Sequence, residues 1–224
     1  MHRFASLEEL TALRNAAVEV TASAGRVIDA THIWQDLTQG KLGLLDTFTA
    51  GDFSYLVATR ELNHAPLSER ALEMLERVLL GACPKQVASD FRLAQSTLAE
   101  SLKLALRTMG ASCLPSKVPF GLVALARQAR AQNGRPLVHG AVAQLAGFEC
   151  LVLATRLPSL SNLLPPAIEQ VLRLHAEGKT HREIASLRGK SQRTIANQLA
   201  TAFQRIGNSG RINTIEFLLS VSPS

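Results

Sequence analysis

The sequence predicts a mainly α protein with two small antiparallel β-hairpins, built as a tandem repeat of a hairpin followed by a four-helix helix-turn-helix unit. Three observations carry that expectation. Residues 164–219 run as short helical segments closed by glycines, in the order short helix, tight turn, longer helix. Residues 67–122 fall on 164–219 without a gap when the chain is shifted by 97 residues. Two β-rich segments, each broken by an Ala-Gly pair, precede the two helical stretches at about 42–60 and 137–156.

Taken in order, MHRFASLEELTALRNAAVEV gives a helix near 6–22, and Glu8, Glu9 and Glu19 deny it a signal-peptide core. A turn around Gly25 and a short helix near 31–39, with Trp34, follow. Hairpin one spans 42–60 and the first helix-turn-helix 67–127. A helix over 118–132 serves both units, and Gln132-Asn133-Gly134 and 157–166 read as loops. Hairpin two spans 137–156 and the second helix-turn-helix 164–221. The expected parts are an N-terminal helical segment 1–40, repeat one 41–128 and repeat two 129–224. A lone two-stranded hairpin is marginal in water, so these two must pack on helices, on each other or on a second chain.

The second unit is the most informative stretch. Pro165 and Pro166 suit a helix start, where the missing N–H costs nothing. Ile168, Val171, Leu172 and Leu174 recur at helical spacing until Gly178 stops the helix. Thr180 caps a second helix carrying Ile184 and Ala185. After Gly189-Lys190-Ser191 a third helix runs from Gln192 to about Arg205, with Ile195, Leu199, Phe203 and Ile206 on one side. Gly207 ends it, and a fourth helix fills 213–219. Between Lys179 and Arg211 stand Lys179, Arg182, Arg188, Lys190, Arg193, Arg205 and Arg211 against the single acid Glu183. This is the plan in which the longer helix enters a major groove. A small bundle with a solvated basic face would have the same spacing.

The residues themselves go further. Leu164, Val171-Leu172, Glu177-Gly178, Glu183-Ile184-Ala185, Ser191, Arg193-Thr194-Ile195, Asn197, Leu199, Ile206-Gly207 and Arg211 form an ordered pattern over about 55 residues. The stretch resembles the LuxR-type (NarL/FixJ-type) DNA-binding domain. The resemblance implies that Ala196, Asn197 and Ala200 face bases, where Asn bonds adenine and Ala touches a thymine methyl. It places Ser191, Arg193, Thr194 and Gln198, with Gln192 beside them, on the DNA backbone. Arg182, at a helix start, and Arg211, before the fourth helix, are expected on phosphates. Fourth helices commonly pair in this family, so Ile212, Ile215 and Leu219 are interface candidates and a homodimer is expected. Closing the unit's own core is their alternative role. Arg188 and Lys190 depart from the apolar residues usual in the turn, and either could reach a phosphate instead.

At the 97-residue shift Leu67, Leu75, Gly81, Ala88, Ser89, Gln95, Thr97, Ala99, Leu102, Ala105, Gly110, Ser112 and Leu122 meet identical residues. The first unit therefore resembles the same family, with Ser68 as its first cap and Phe91 and Leu93 in the apolar turn positions. Its candidate DNA contacts are Lys85, which stands where Arg182 does, and Ser96, Thr97 and Lys103. Glu100, beside Ala99, repels phosphate but can accept from cytosine N4. Lys85, Arg92, Lys103 and Arg107 are offset by Asp90 and Glu100, so weaker contact is expected there than in unit two. A copy used only for packing or dimerisation is the competing reading. The hairpins match at a shift of 96, Ala50-Gly51 on Ala146-Gly147 and Tyr55–Arg60 on Leu151–Arg156. Two heads placed as in a two-fold dimer would take half-sites about 10 bp apart or a multiple of that.

Composition agrees. The 224-residue chain carries a net charge of +6 and a pI near 9.7, which suits a polyanionic partner. No apolar run approaches the roughly 20 residues that span a bilayer, so no membrane partner is expected. Cys83, Cys113 and Cys150 read as free thiols of a reducing cytoplasm. No GxxxxGK[ST] loop, GxSxG elbow, HExxH or paired-Cys metal motif occurs, so neither catalysis nor a metal or cofactor is expected. The expected function is a cytoplasmic, sequence-specific regulator of transcription that binds double-stranded DNA. The alternative is an adaptor of the same fold that binds an RNA polymerase subunit or another regulator.

Overall fold

The two β-rich segments form hairpins, but the hairpins are joined. A computed structural model describes residues 7–62, 64–111, 117–130 and 137–221. In chain order these form α1 (Leu7–Ala24), β1 (Arg26–Asp29), α2 (Ala30–Thr38), β2 (Gly43–Ala50), β3 (Phe53–Thr59), α3 (Glu69–Leu79), α4 (Pro84–Asp90) and α5 (Gln95–Thr108). Then come α6 (Phe120–Ala129), β4 (Leu137–Leu145), β5 (Phe148–Arg156), α7 (Pro166–Ala176), α8 (His181–Arg188), α9 (Gln192–Ile206) and α10 (Arg211–Ser220). The expected loop at 132–134 and Cys113 lie outside the described residues.

All five strands belong to one antiparallel sheet, in the order β1-β4-β5-β3-β2. The fold is therefore mixed α/β, which corrects the expectation of a mainly α chain with two small, separate hairpins. The reason is visible in the inner strands. Ser54–Thr59 are all buried, and a strand covered on both faces belongs in the middle of a sheet. β3 pairs with β5 from Phe53↔Arg156 to Thr59↔Cys150. The outer strand β1 replaces the turn expected around Gly25, and its last residue, Asp29, caps α2 by accepting from Thr31 N at 2.8 Å.

Register also corrects the shift read for the hairpins. Leu56 lies opposite Leu153, and both face the main core, while Tyr55, Val57, Val152 and Ala154 face Leu13 and Ala17 of α1. Side chains alternate along a strand, so a slip of one residue turns every side chain to the other face. A shift of 96 would pair Leu56 with Val152, on the opposite face. An odd shift keeps the faces: the two turns, closed by Ala50↔Phe53 and Leu145↔Phe148, stand 95 residues apart, and the helices 97. α3, α4 and α5 start at Glu69, Pro84 and Gln95, and α7, α8 and α9 at Pro166, His181 and Gln192, 97 residues on in each case.

The second face of the sheet is covered by α6. Its run Phe120–Ala126 is buried throughout, a helix with no polar side, which only a position inside the protein can satisfy. Gly121 lets it lie close to β3, since a Cβ there would stand 3.3 Å from Ser54 Oγ. Around it sit α2, α3 and α10. Its polar end holds both halves of the chain. Arg127 donates to Leu80 O at 3.2 Å and pairs with Glu216. Arg130 donates to Glu76 Oε1 at 2.9 and 2.6 Å, and Trp34 Nε1 donates to the same oxygen at 2.7 Å. Replacing the fully buried Leu122 by Ala is expected to lower stability by about 2–5 kcal/mol. Urea unfolding followed by far-UV circular dichroism checks this, as a lower midpoint with an unchanged slope.

Candidate nucleic-acid interface

In the second unit each turn is set by local chemistry. Pro166 opens α7, and Gly178, at φ 86°, takes the chain out of it. Thr180 and Glu183 form a reciprocal cap at the start of α8: Glu183 N donates to Thr180 Oγ1 at 3.2 Å, and Thr180 N to Glu183 Oε2 at 2.7 Å. Gly189, at φ 59°, closes α8. Ser191 then caps α9, accepting from Thr194 N at 3.1 Å. Ile195, Leu199 and Ala202 hold α9 to the core. The opposite stripe is left outward.

That stripe contains most of the expected contacts. Gln192, Arg193, Asn197 and Ala200 are exposed on α9, and Ala196 is half-buried. Gln204, one turn further along the same stripe, was missed in the sequence, although its spacing from Ala200 shows it. Arg182 on α8 and Lys190 in the turn are exposed, and among the described residues neither these nor Arg193 enters an ion pair. Ser191 and Thr194 hold their hydroxyls toward each other at 2.9 Å, so the turn itself uses them. Gln198 is half-buried, with Oε1 unpartnered.

Arg211 is a correction. It is buried, and it donates to His175 O at 3.0 Å and to Ala176 O at 3.1 and 2.8 Å. It closes the C-terminal end of α7, where carbonyls have no helical partners and the dipole favours a cation. It is not offered to a phosphate. Arg188, half-buried, donates to Gln170 Oε1 on α7. Of the expected pairing residues on α10, Ile215 is fully buried, and Ile212 and Leu219 pack against the core.

The first unit is a weaker version of the same frame. Ser68 caps α3, as expected, accepting from Ala71 N at 3.3 Å. Cys83 and Ala94, however, give α4 and α5 no side-chain cap. Arg92 stands 97 residues before Gly189 and takes the same left-handed conformation, at φ 53°, which costs a non-glycine residue about 1–2 kcal/mol. Phe91 compensates in part, with the guanidinium groups of Arg70 and Arg77 each 5.8 Å from its ring centre. Lys85, Ser96 and Thr97 are exposed. Lys103 pairs with Glu100 at 3.5 Å, so each charge is offset by the other.

The second unit is anchored to hairpin one through polar groups, of which only Glu177 stood in the sequence pattern. Arg173 donates to Glu169 Oε1 at 3.1 and 2.8 Å, to Pro158 O at 3.0 Å and to Asp52 Oδ1 at 3.1 Å in the β2–β3 turn. Burial pushes the Glu177 carboxyl above the usual carboxylate range, although Ser54, Thr49, Arg211 and Lys179 around it pull it back. His175 packs edge-on against Phe203 of α9, with ring centres 5.7 Å apart. Burial, reinforced by Arg211 and His181, holds its pKa down to about 4.

Among the described residues no group of three or more His, Cys, Asp or Glu is placed to hold a metal, and no helix is long and apolar enough to cross a membrane. Comparison with known proteins finds no matching family model, no matching curated protein and no matching solved structure.

The imidazole of His175 is neutral when folded, whereas the unfolded chain takes up a proton below about 6.5. Its contribution to stability is therefore complete above that pH and is lost as pH falls through 4. Glu177 acts with the opposite sign, so the difference between wild type and His175→Gln isolates the imidazole. Thermal unfolding between pH 4 and 7 is expected to show a wild-type Tm that declines toward acid more steeply than that of the variant.

Proposed function

We propose that this chain is a sequence-specific regulator of transcription that binds double-stranded DNA, with the second unit as the main reader and the LuxR-type frame duplicated in tandem. The observation that carries this reading is the outward stripe Arg193, Asn197, Ala200 on α9, flanked by the exposed cations Arg182 and Lys190. Cations without acidic partners on such a surface gain affinity by releasing the counterions of a phosphate backbone. Asn197, near the entry end of the same helix, suits the adenine edge. The common 97-residue spacing of three helices, and the left-handed stops at Gly81 and Gly178 and at Gly110 and Gly207, support duplication.

A second reading, an adaptor for a protein partner, has one observation of its own. In the first unit Leu104 is 65% exposed at a cavity of about 450 Å³ lined also by Leu67, Met74 and Leu93. Exposed apolar surface of that kind suits a protein better than a phosphate backbone.

Fluorescence anisotropy with a selected duplex separates the two. Arg193→Ala is expected to weaken binding on all sequences and to reduce the slope of log affinity against log salt by about one. Asn197→Ala is expected to cost about 1–3 kcal/mol at one base pair and to relax preference there. Affinity unchanged by both variants, or indifferent to salt, would overturn the assignment. A protein partner captured without DNA by the wild type, and lost on Leu104→Glu, would favour the adaptor.

A further inference from the structure

We propose that the cavity between α3 and α5 in the first unit is a binding site for a small apolar carboxylic acid, with Arg70 as the anchor of its carboxylate. The proposal goes beyond the DNA reading and does not rest on it.

The cavity holds about 450 Å³, a size usual for small-ligand sites. Its apolar walls are Leu67 before α3, Met74 on α3, Leu93 before α5 and Leu104 on α5. Arg70 is the one charged residue among those that line it. Its guanidinium is pinned: Nη2 donates to Phe91 O at 3.0 Å, and the group lies 5.8 Å from the centre of the Phe91 ring. Among the described residues Arg70 enters no ion pair. A fixed, planar cation with further N–H groups to donate matches a carboxylate, and the walls match an apolar body.

The second unit shows that this space is not a by-product of the shared frame. At the 97-residue spacing Ala71 corresponds to Ile168 and Ser101 to Gln198, both larger. The apolar Leu93 and Leu104 correspond to the polar Lys190 and Thr201, and Arg70 to Ala167. Thr108 corresponds to Arg205, which donates to Leu163 O at 3.4 Å, at the position that Pro66 holds in the first unit. Each of these differences makes the first unit roomier, more apolar or cationic in one place. A flat protein surface would cover Leu104 and leave the cavity as a void, which close packing disfavours. A small acid fills it and gives Arg70 a counter-charge.

The test titrates the full chain with octanoate and, in parallel, with octanol, following backbone amides by heteronuclear NMR. Octanoate is expected to give saturable shifts centred on Arg70, Ala71 and Leu104. Arg70→Gln is expected to weaken octanoate about tenfold, as loss of a charge-assisted hydrogen bond requires, and to leave octanol unchanged. Ala71→Ile combined with Ser101→Gln, which gives the cavity the residues of the second unit, is expected to abolish binding of both. Shifts that spread over the chain without saturating, or an octanoate affinity that Arg70→Gln leaves unchanged, would overturn the proposal. Silence of the wild type toward both compounds would overturn it too, and would leave the cavity to a protein side chain. None of these outcomes touches the DNA reading, whose own test is duplex binding.

Discussion

Helix α6 has no side suited to water, and the fold is arranged to keep water from it. Seven consecutive apolar positions, Phe120–Ala126, must be enclosed on every side. A sheet can close only one of them. α2 and α3 from the first half and α10 from the second supply the others. The enclosing elements come from both ends of the sequence, so the core cannot be completed by either half. The exit from this apolar cage is polar, and Arg127 and Arg130 use it to hold α3 and α10 together.

Local sequence was a good guide wherever a single residue sets the backbone. Thr180 and Ser68 cap the helices they were expected to cap, and Gly178 and Gly207 end theirs. The helix over 118–132, read as shared between the units, is shared, as α6. What sequence hid depends on partners far away along the chain. Burial of β3 and β5 on both faces announces central strands, but nothing local says that each is the other's neighbour. The 96-residue match of the hairpins followed residue identity at the Ala-Gly turns. The pleat follows side-chain parity instead, and parity requires an odd shift.

The candidate interface shows the same division. Arg193, Asn197 and Ala200 stand outward because Ile195, Leu199 and Ala202 fix the rotation of α9, and periodicity suffices to foresee that. The place of Arg211 was not foreseeable from its charge. A guanidinium that donates to two carbonyls at a helix end, His175 O and Ala176 O, is held inside the protein by the helix dipole and by charge-assisted hydrogen bonds. The junction of Arg173 and Glu177 with hairpin one was equally silent, since it depends on contacts between segments more than 120 residues apart in the chain.

Trp34 has a consequence of its own. It is the only tryptophan, its indole N–H is held by Glu76, and it is enclosed with α2 beside α6 and α3. The segment from α7 to α10 has neither tryptophan nor tyrosine. Intrinsic emission is thus an optical sentinel for the first half of the chain alone. Loosening of the segment from α7 to α10 would pass unseen by light at that wavelength until the shared helix itself let go.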